Sequence, residues 1–118
     1  MLTASQVLAG IVAALHLYFL VLEMFLWATP YGERTFKRTH EQQLASKSLA
    51  QNQGLYNGFL AAGLAWSIQT GALDVRIFFL GCVVIAGIYG AITASRAILF
   101  AQAIPGAIAL AVTIAART

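Results

Sequence analysis

The feature that most constrains this chain is a long apolar stretch from Val7 to Ala28, in which only His16 and Glu23 can carry a charge near neutral pH. Of all 118 residues, 60% are hydrophobic and 9% are charged, whereas soluble domains carry about 25% charged residues. Apolar stretches of this length are typical of membrane spans, in which a helix satisfies every backbone polar group internally. The sequence therefore predicts an all-α integral membrane protein.

The chain is long enough for four such spans, each of about 20 residues with a short connection. We predict a single four-span transmembrane domain over residues 1–118, folded as a four-helix bundle with up-down topology. Its spans are expected at about residues 3–28, 47–70, 75–95 and 97–116, with residues 29–46 forming one polar loop.

Local motifs indicate where the helices begin and bend. Thr39 and Gln42 predict a capping box, and the helix that starts there is expected to continue into the second span. Asp74 is expected to cap the third span, and Pro105 is expected to kink the fourth. Close contact between helices, or self-association, is predicted at glycines of the last two spans: Gly81, Gly87, Gly90 and Gly106.

The distribution of basic residues predicts the orientation in the membrane. The loop 29–46 and its border with the second span hold four Lys or Arg residues, and Arg96 lies in the turn between the third and fourth spans. The other side holds only Arg76 and Arg117. The positive-inside rule therefore predicts a bacterial inner-membrane protein with a cytoplasmic loop 29–46 and both termini outside. It also explains the net charge of +3 without nucleic-acid binding.

The two ionisable groups of the first span are expected to lie on one helix face. Seven residues make two helical turns, so His16 and Glu23 are about 10 Å apart along the axis. A charged carboxyl at depth in a membrane costs roughly 3 kcal/mol or more, and neutral amides can secure helix packing without that cost. Glu23 is therefore predicted to be functional. The structural alternative is a bond from Glu23 to Arg96 or to an asparagine of another helix.

Polar side chains of all four predicted spans are expected at a similar depth, in the cytoplasmic half. The outer half is expected to be nearly bare of polar groups. Single amides in such positions often only bond neighbouring helices. The candidate binding cluster comprises His16, Glu23, Trp27, Asn52, Gln53, Tyr56, Asn57, Tyr89, Thr93, Arg96 and Gln102.

Motifs for other chemistry are absent from the sequence. No His-x-x-x-His or His-x-x-Glu pair suggests a metal, no glycine-rich loop suggests a phosphate cofactor, and no serine has a histidine nearby. The lone Cys82 excludes an intrachain disulfide. We therefore predict no cofactor and no metal, and no catalytic residue can be assigned.

Two segments carry a family resemblance: HLYFLVLEMFLW at residues 16–27 and NQGLYNGFLAAGL at residues 52–64. Together with FFLGCVVIAGIYGA at residues 78–91, they resemble the bacterial membrane family known as domain of unknown function 1304. The resemblance spans nearly the whole chain and implies a small four-span inner-membrane protein. It implies no activity and no catalytic residues. Both longer segments contain members of the candidate cluster.

Three functions are compatible with the sequence. The leading hypothesis is binding or transport of a cation or small molecule at Glu23 and His16, which implies a homodimer because four spans are few for a complete pathway. The second is a membrane enzyme, an isomerase or cyclase, in which these residues act as acid and base on a lipid-like substrate. The third is a structural subunit whose polar residues only specify helix packing.

Overall fold

The computed structural model describes all residues, 1–118, and consists of helices without strands. The predicted all-α class is confirmed, but the chain forms six helices rather than four, because the polar segment between the first two long helices is itself helical. The helices are α1 Leu2–Met24, α2 Pro30–Phe36, α3 His40–Ala45, α4 Lys47–Thr70, α5 Leu73–Thr93 and α6 Arg96–Arg117.

Three of the long helices, α1, α5 and α6, are long and apolar enough to cross a membrane. Helix α4 has sufficient length, 24 residues, but does not reach the same apolar character. The reason is its content of polar side chains, which begins with Lys47 and continues through several amides: Gln51, Asn52, Gln53, Asn57 and Gln69. The structure therefore has three apolar helices of spanning length where the sequence predicted four.

Capping side chains define the two short helices between α1 and α4. The Thr29 hydroxyl accepts a hydrogen bond from the backbone of α2, and Pro30 occupies the first turn, where its missing N–H is not needed. The capping box predicted at Thr39 and Gln42 is confirmed, with both reciprocal hydrogen bonds present. The prediction that this helix continues into the second span is wrong, because α3 ends at Ala45, Ser46 caps it, and α4 starts at Lys47.

The connection from α4 to α5 turns at Gly71, whose positive φ of 73° favours glycine. The prediction that Asp74 caps α5 is wrong: the residue at the cap position is Ala72, and no side chain provides a cap. The Asp74 carboxylate instead pairs with Arg117 at 3.0 Å, and both side chains are exposed. Such a surface ion pair contributes at most about 1 kcal/mol.

The chain divides into two compact units, the first formed by residues 1–15 and 60–118. Its core comes from α1, α4, α5 and α6 and contains the buried side chains of Val12, Leu64, Leu80, Val83 and Ala109. Because lipid is as apolar as these side chains, close packing rather than water exclusion has to hold such helices together in a membrane.

Glycines set the distance between α5 and α6. A Cβ at Gly87 would lie 2.8 Å from the backbone nitrogen of Ala103, and one at Gly106 would lie 2.8 Å from Val83. The predicted close contact is confirmed at these positions, whereas Gly81 has open space around it. The irregularity expected at Pro105 takes the form of a π-helical segment, Leu99–Ala103, just before the proline.

The second unit, residues 16–59, contains the end of α1, both short helices and the first half of α4. Here too the long helices approach at glycines. A Cβ at Gly54 would lie 2.5 Å from the Met24 side chain and 3.2 Å from the carbonyl oxygen of Leu20, and a Cβ at Gly58 would lie 2.7 Å from Leu20. This contact brings the polar residues of α1 and α4 within hydrogen-bonding distance.

Candidate polar site

The Glu23 carboxyl is bonded across two helices. Its Oε1 accepts a hydrogen bond of 2.5 Å from the side-chain amide of Asn57 on α4. Both residues are half-buried, and Oε2 accepts no hydrogen bond from another residue. One oxygen is thus fixed by the protein, while the other is open to a proton, a cation or a ligand donor.

Helical spacing explains why Asn57 is the amide that meets Glu23. Gly54 and Gly58 lie three residues before and one after Asn57, and both touch α1. Residues three and four apart share a helix face, so the glycines bring the α4 backbone close to α1 and Asn57 lies on the contact face. The structure thus contains the Glu23–asparagine bond that the sequence raised as a structural alternative.

His16 is completely buried, with 0% of its surface exposed. Its ring packs edge-on against Phe19, with ring centroids 5.2 Å apart. It lies two turns before Glu23 on α1, as the sequence predicts. His16 is therefore part of the packed interior, whereas Glu23 is half-buried.

The other candidates of the second unit do not join Glu23. Trp27 lies beyond the end of α1, and its indole N–H donates to the Ser46 hydroxyl at 3.0 Å. Asn52, Gln53 and Tyr56 are exposed, and Tyr56 has 58% of its surface accessible. Asn52 and Tyr56 lie on faces of α4 other than the one that carries Asn57, whereas Gln53, one turn before Asn57, shares its face but is exposed.

The four remaining candidates belong to the first unit. Tyr89, 70% exposed, accepts at its carbonyl a hydrogen bond from the Thr93 hydroxyl, and Arg96 is exposed. The Gln102 side chain donates to the carbonyl of Val83 at 3.1 Å and so ties α6 to α5. This bond matches the packing role that single amides often have.

A buried arginine network was missed by the sequence reasoning. Arg76 was counted as a basic residue of the outer side, yet only 1% of its surface is exposed. Its Nη1 donates to the Ser5 hydroxyl at 2.9 Å, its Nη2 to the Ser67 carbonyl at 3.1 Å, and its Nε to the Ser67 hydroxyl at 3.3 Å. The Ser5 hydroxyl lies 2.6 Å from that of Thr113. Each of these residues comes from a different long helix of the first unit.

The network accommodates a positive charge without a carboxylate, because its hydrogen bonds can all run in one direction. The Thr113 and Ser67 hydroxyls donate to helix carbonyls at 2.8 and 2.7 Å. Ser5 can therefore donate to Thr113 while it accepts from Arg76. Each chain of hydrogen bonds starts at a guanidinium N–H and ends at a helix carbonyl. The expectation that the outer half is nearly bare of polar groups is wrong for these residues.

A signal for this network was present in the sequence. Ser5 and Arg76 lie near the starts of α1 and α5, and Ser67 and Thr113 lie near the ends of α4 and α6. If successive long helices run in opposite directions, the starts of α1 and α5 lie at the same depth as the ends of α4 and α6. The same comparison of depth that grouped the residues around Glu23 could have grouped these four, but hydroxyls in apolar helices are individually unremarkable.

Comparisons with known proteins found one family model and one similar bacterial protein. The chain matches one family model over residues 10–114, and the family is described as "Protein of unknown function (DUF1304)". The chain is also 28% identical, over 100 residues, to the "Uncharacterized protein YpaA" of Lactococcus lactis subsp. lactis (strain IL1403). The aligned region covers 81% of this chain and 84% of that protein. No solved structure matches the chain. The resemblance read from the sequence is confirmed.

Proposed function

The chain belongs to the DUF1304 family, whose function is unknown, and we propose from its own residues that it binds a cation or small molecule at a polar site around Glu23 and His16 and moves it across the membrane. The carboxyl of Glu23 is the binding group. Asn57 orients it, and the buried His16 belongs to the packed wall two turns away. Because one chain offers few helices for a pathway, the transporting form is a homodimer.

The observation that carries this proposal is the asymmetry of the Glu23 carboxyl. Oε1 is fixed by the Asn57 amide at 2.5 Å, whereas Oε2 is not hydrogen-bonded by the protein and the residue is only half-buried. An oriented, accessible carboxylate can bind a cation or a proton at the same oxygen. The two are then mutually exclusive, which is the elementary requirement for exchanging one for the other.

Binding measurements on purified protein in detergent test the site. The probes are sodium, potassium and the lipophilic cation tetraphenylphosphonium. Wild-type protein should bind at least one of them saturably, and the binding should weaken as the pH falls because protons compete for the carboxylate. Glu23→Gln should weaken it by about tenfold to a hundredfold, the equivalent of one hydrogen-bonded charge. No saturable binding of any probe would refute the proposal.

A matched control is Glu41→Gln, which makes the same chemical change at an exposed position of α3. It should leave binding unchanged. In proteoliposomes, proton-coupled flux of the bound probe should be lost in Glu23→Gln and kept in Glu41→Gln. Flux that survives Glu23→Gln would sink the mechanism even if binding were weakened.

A second candidate function, a structural subunit, is favoured by the Glu23–Asn57 bond itself. If the carboxyl serves only to join α1 and α4, Glu23→Gln should lower thermal stability and leave the cellular phenotype intact. Under the transport proposal the same variant should instead lose the phenotype that depends on transport. The acid-base enzyme draws less support, because the His16 side chain has no exposed surface.

We further propose that α4 is the fourth span, which makes the chain a four-helix bundle in the bacterial inner membrane with both termini outside. Its 24 residues are sufficient to cross a bilayer. In a Cys82→Ala background, an impermeant maleimide should label Thr3→Cys and Thr118→Cys on spheroplasts, but Glu41→Cys only after permeabilisation. Termini on opposite sides would rule out four spans.

A further inference from the structure

An open groove between α2 and α3 carries the densest positive charge of the chain. It has a volume of about 430 Å³, and Arg34, Lys37 and Arg38 line it. None of these three side chains forms an ion pair. The single carboxylate of the groove, Glu33, is bonded to the ring of His40 at 2.6 Å. The three cations are therefore available to an external anion.

The groove is held in shape by contacts on both sides. The Glu33–His40 bond ties α2 to α3 across seven residues of sequence. The Gln43 side chain, which is buried, donates to the Trp27 carbonyl at 2.8 Å and so ties α3 to the end of α1. Gly32 of α2 packs so tightly on the backbone of Trp27 that a Cβ would overlap it. These are constraints of a folded site, not of a solvated loop.

Apolar side chains are exposed beside the cations. Tyr31, Phe36 and Leu44 have 43%, 37% and 51% of their surfaces accessible. Cationic groups next to exposed aromatic and aliphatic side chains are the composition of segments that lie in a membrane interface. Residues 29–46, which carry these side chains, lie between α1, which ends at Met24, and α4, which begins at Lys47.

We propose that this groove binds the phosphate headgroup of an anionic phospholipid. The inference rests on the membrane topology of the proposed function, which puts residues 29–46 at a membrane surface, but it is independent of Glu23. Guanidinium groups bind phosphate oxygens in a bidentate fork, so Arg34 and Arg38 are the principal ligands. The exposed apolar side chains contact the acyl region, which distinguishes a lipid from a soluble anion.

Trp27 supplies a direct reporter of binding, because its ring contacts that of Phe36 in a tilted arrangement with centroids 4.6 Å apart. The chain has two tryptophans, so Trp66→Phe leaves Trp27 alone. In detergent micelles, phosphatidylglycerol should change the Trp27 emission saturably, whereas phosphatidylcholine should not. Equal responses to both lipids would overturn the proposal.

Charge-matched variants test the site. Arg34→Gln with Arg38→Gln should weaken phosphatidylglycerol binding by about thirtyfold, on the ordinary contribution of two basic residues near an anionic lipid surface. Arg96→Gln with Arg117→Gln removes the same charge outside the groove. This pair should change phosphatidylglycerol binding less than twofold, because the attraction of a basic residue for an anionic lipid falls off with distance. Equal loss in both pairs would mean a diffuse charge effect and would overturn the site. Arg34→Lys with Arg38→Lys keeps the charge and the fold, and should recover part of the affinity.

A soluble anion decides between a lipid and a free phosphate ligand. sn-Glycerol 3-phosphate shares the phosphate but has no acyl chains, so it should compete only at far higher concentration. Competition at concentrations equal to those of the lipid would overturn the lipid assignment. The Glu41→Cys labelling reports the topology separately, and Glu23→Gln, which leaves the groove intact, should bind phosphatidylglycerol as the wild type does.

Discussion

The Arg76 network makes a quantitative prediction about Ser5. In Ser5→Ala, the guanidinium Nη1 loses its acceptor at 2.9 Å in a region where Arg76 has 1% of its surface exposed. A buried donor left unsatisfied costs about 1–3 kcal/mol. Thr113 keeps its own bond to the Ala109 carbonyl, so no second group is orphaned. We expect Ser5→Ala to lower the free energy of unfolding by that amount.

Ser67→Ala should cost less, although it also removes a serine hydroxyl that accepts a hydrogen bond from the Arg76 guanidinium. The Nε–Oγ distance of 3.3 Å is at the long end for a hydrogen bond. The carbonyl of Ser67 remains and keeps the bond to Nη2 at 3.1 Å. We therefore expect a loss below about 1 kcal/mol, so Ser5→Ala should be clearly the more destabilising of the two variants.

The assay is equilibrium unfolding in mixed micelles with increasing dodecyl sulfate, followed by helical circular dichroism. Ser48→Ala, at an exposed position of α4, is the matched control and should be neutral. Arg76→Met removes the charge that needs the network and should make a further Ser5→Ala change nearly silent. Equal costs for Ser67→Ala and Ser5→Ala would contradict the leading role of the Ser5 hydroxyl. An equal cost of Ser5→Ala with and without Arg76 would show that the hydroxyl does not act through the guanidinium.

Four further predictions use the same unfolding assay. Gly87→Ala should cost about 1–3 kcal/mol because its Cβ would press on the α6 backbone, whereas Gly81→Ala, with open space around it, should be neutral; equal effects would contradict the contact. Asn57→Ala should cost roughly 0.6–2 kcal/mol by removing the bond between α1 and α4. Thr39→Ala should lower stability by about 1 kcal/mol through loss of its cap, unless α3 contributes nothing to folding. Asp74→Asn should change stability by less than about 1 kcal/mol, and a larger loss would mean that its ion pair is not solvated.

Helices α1, α5 and α6 were predictable because length and apolar composition determine them. The exact residues at which these helices begin and end were harder to predict than the helices themselves, and Asp74 shows why. An acidic residue in the first turn can cap a helix or can pair with a distant arginine, and the sequence does not distinguish the two. The capping box at Thr39 was predictable, since both of its partners are local.

The candidate cluster shows a second limit of sequence reasoning. Depth along the helices was enough to raise a bond from Glu23 to an asparagine, or to Arg96, as the structural alternative. It was not enough to choose Asn57 over Asn52, because that choice depends on which face of α4 carries the contact glycines. Arg76 was misjudged for a related reason, since its burial depends on hydroxyls that lie far away in the chain.

The order of the chain has a consequence for how Arg76 enters its final environment. Synthesis proceeds from the N-terminus, so Ser5 and Ser67, which accept the hydrogen bonds of Arg76, are both made before α5. Thr113 lies 108 residues after Ser5 and is made last. All hydrogen-bond acceptors of the guanidinium therefore precede α6 in the chain, and only the Ser5–Thr113 contact has to wait until the last helix is made.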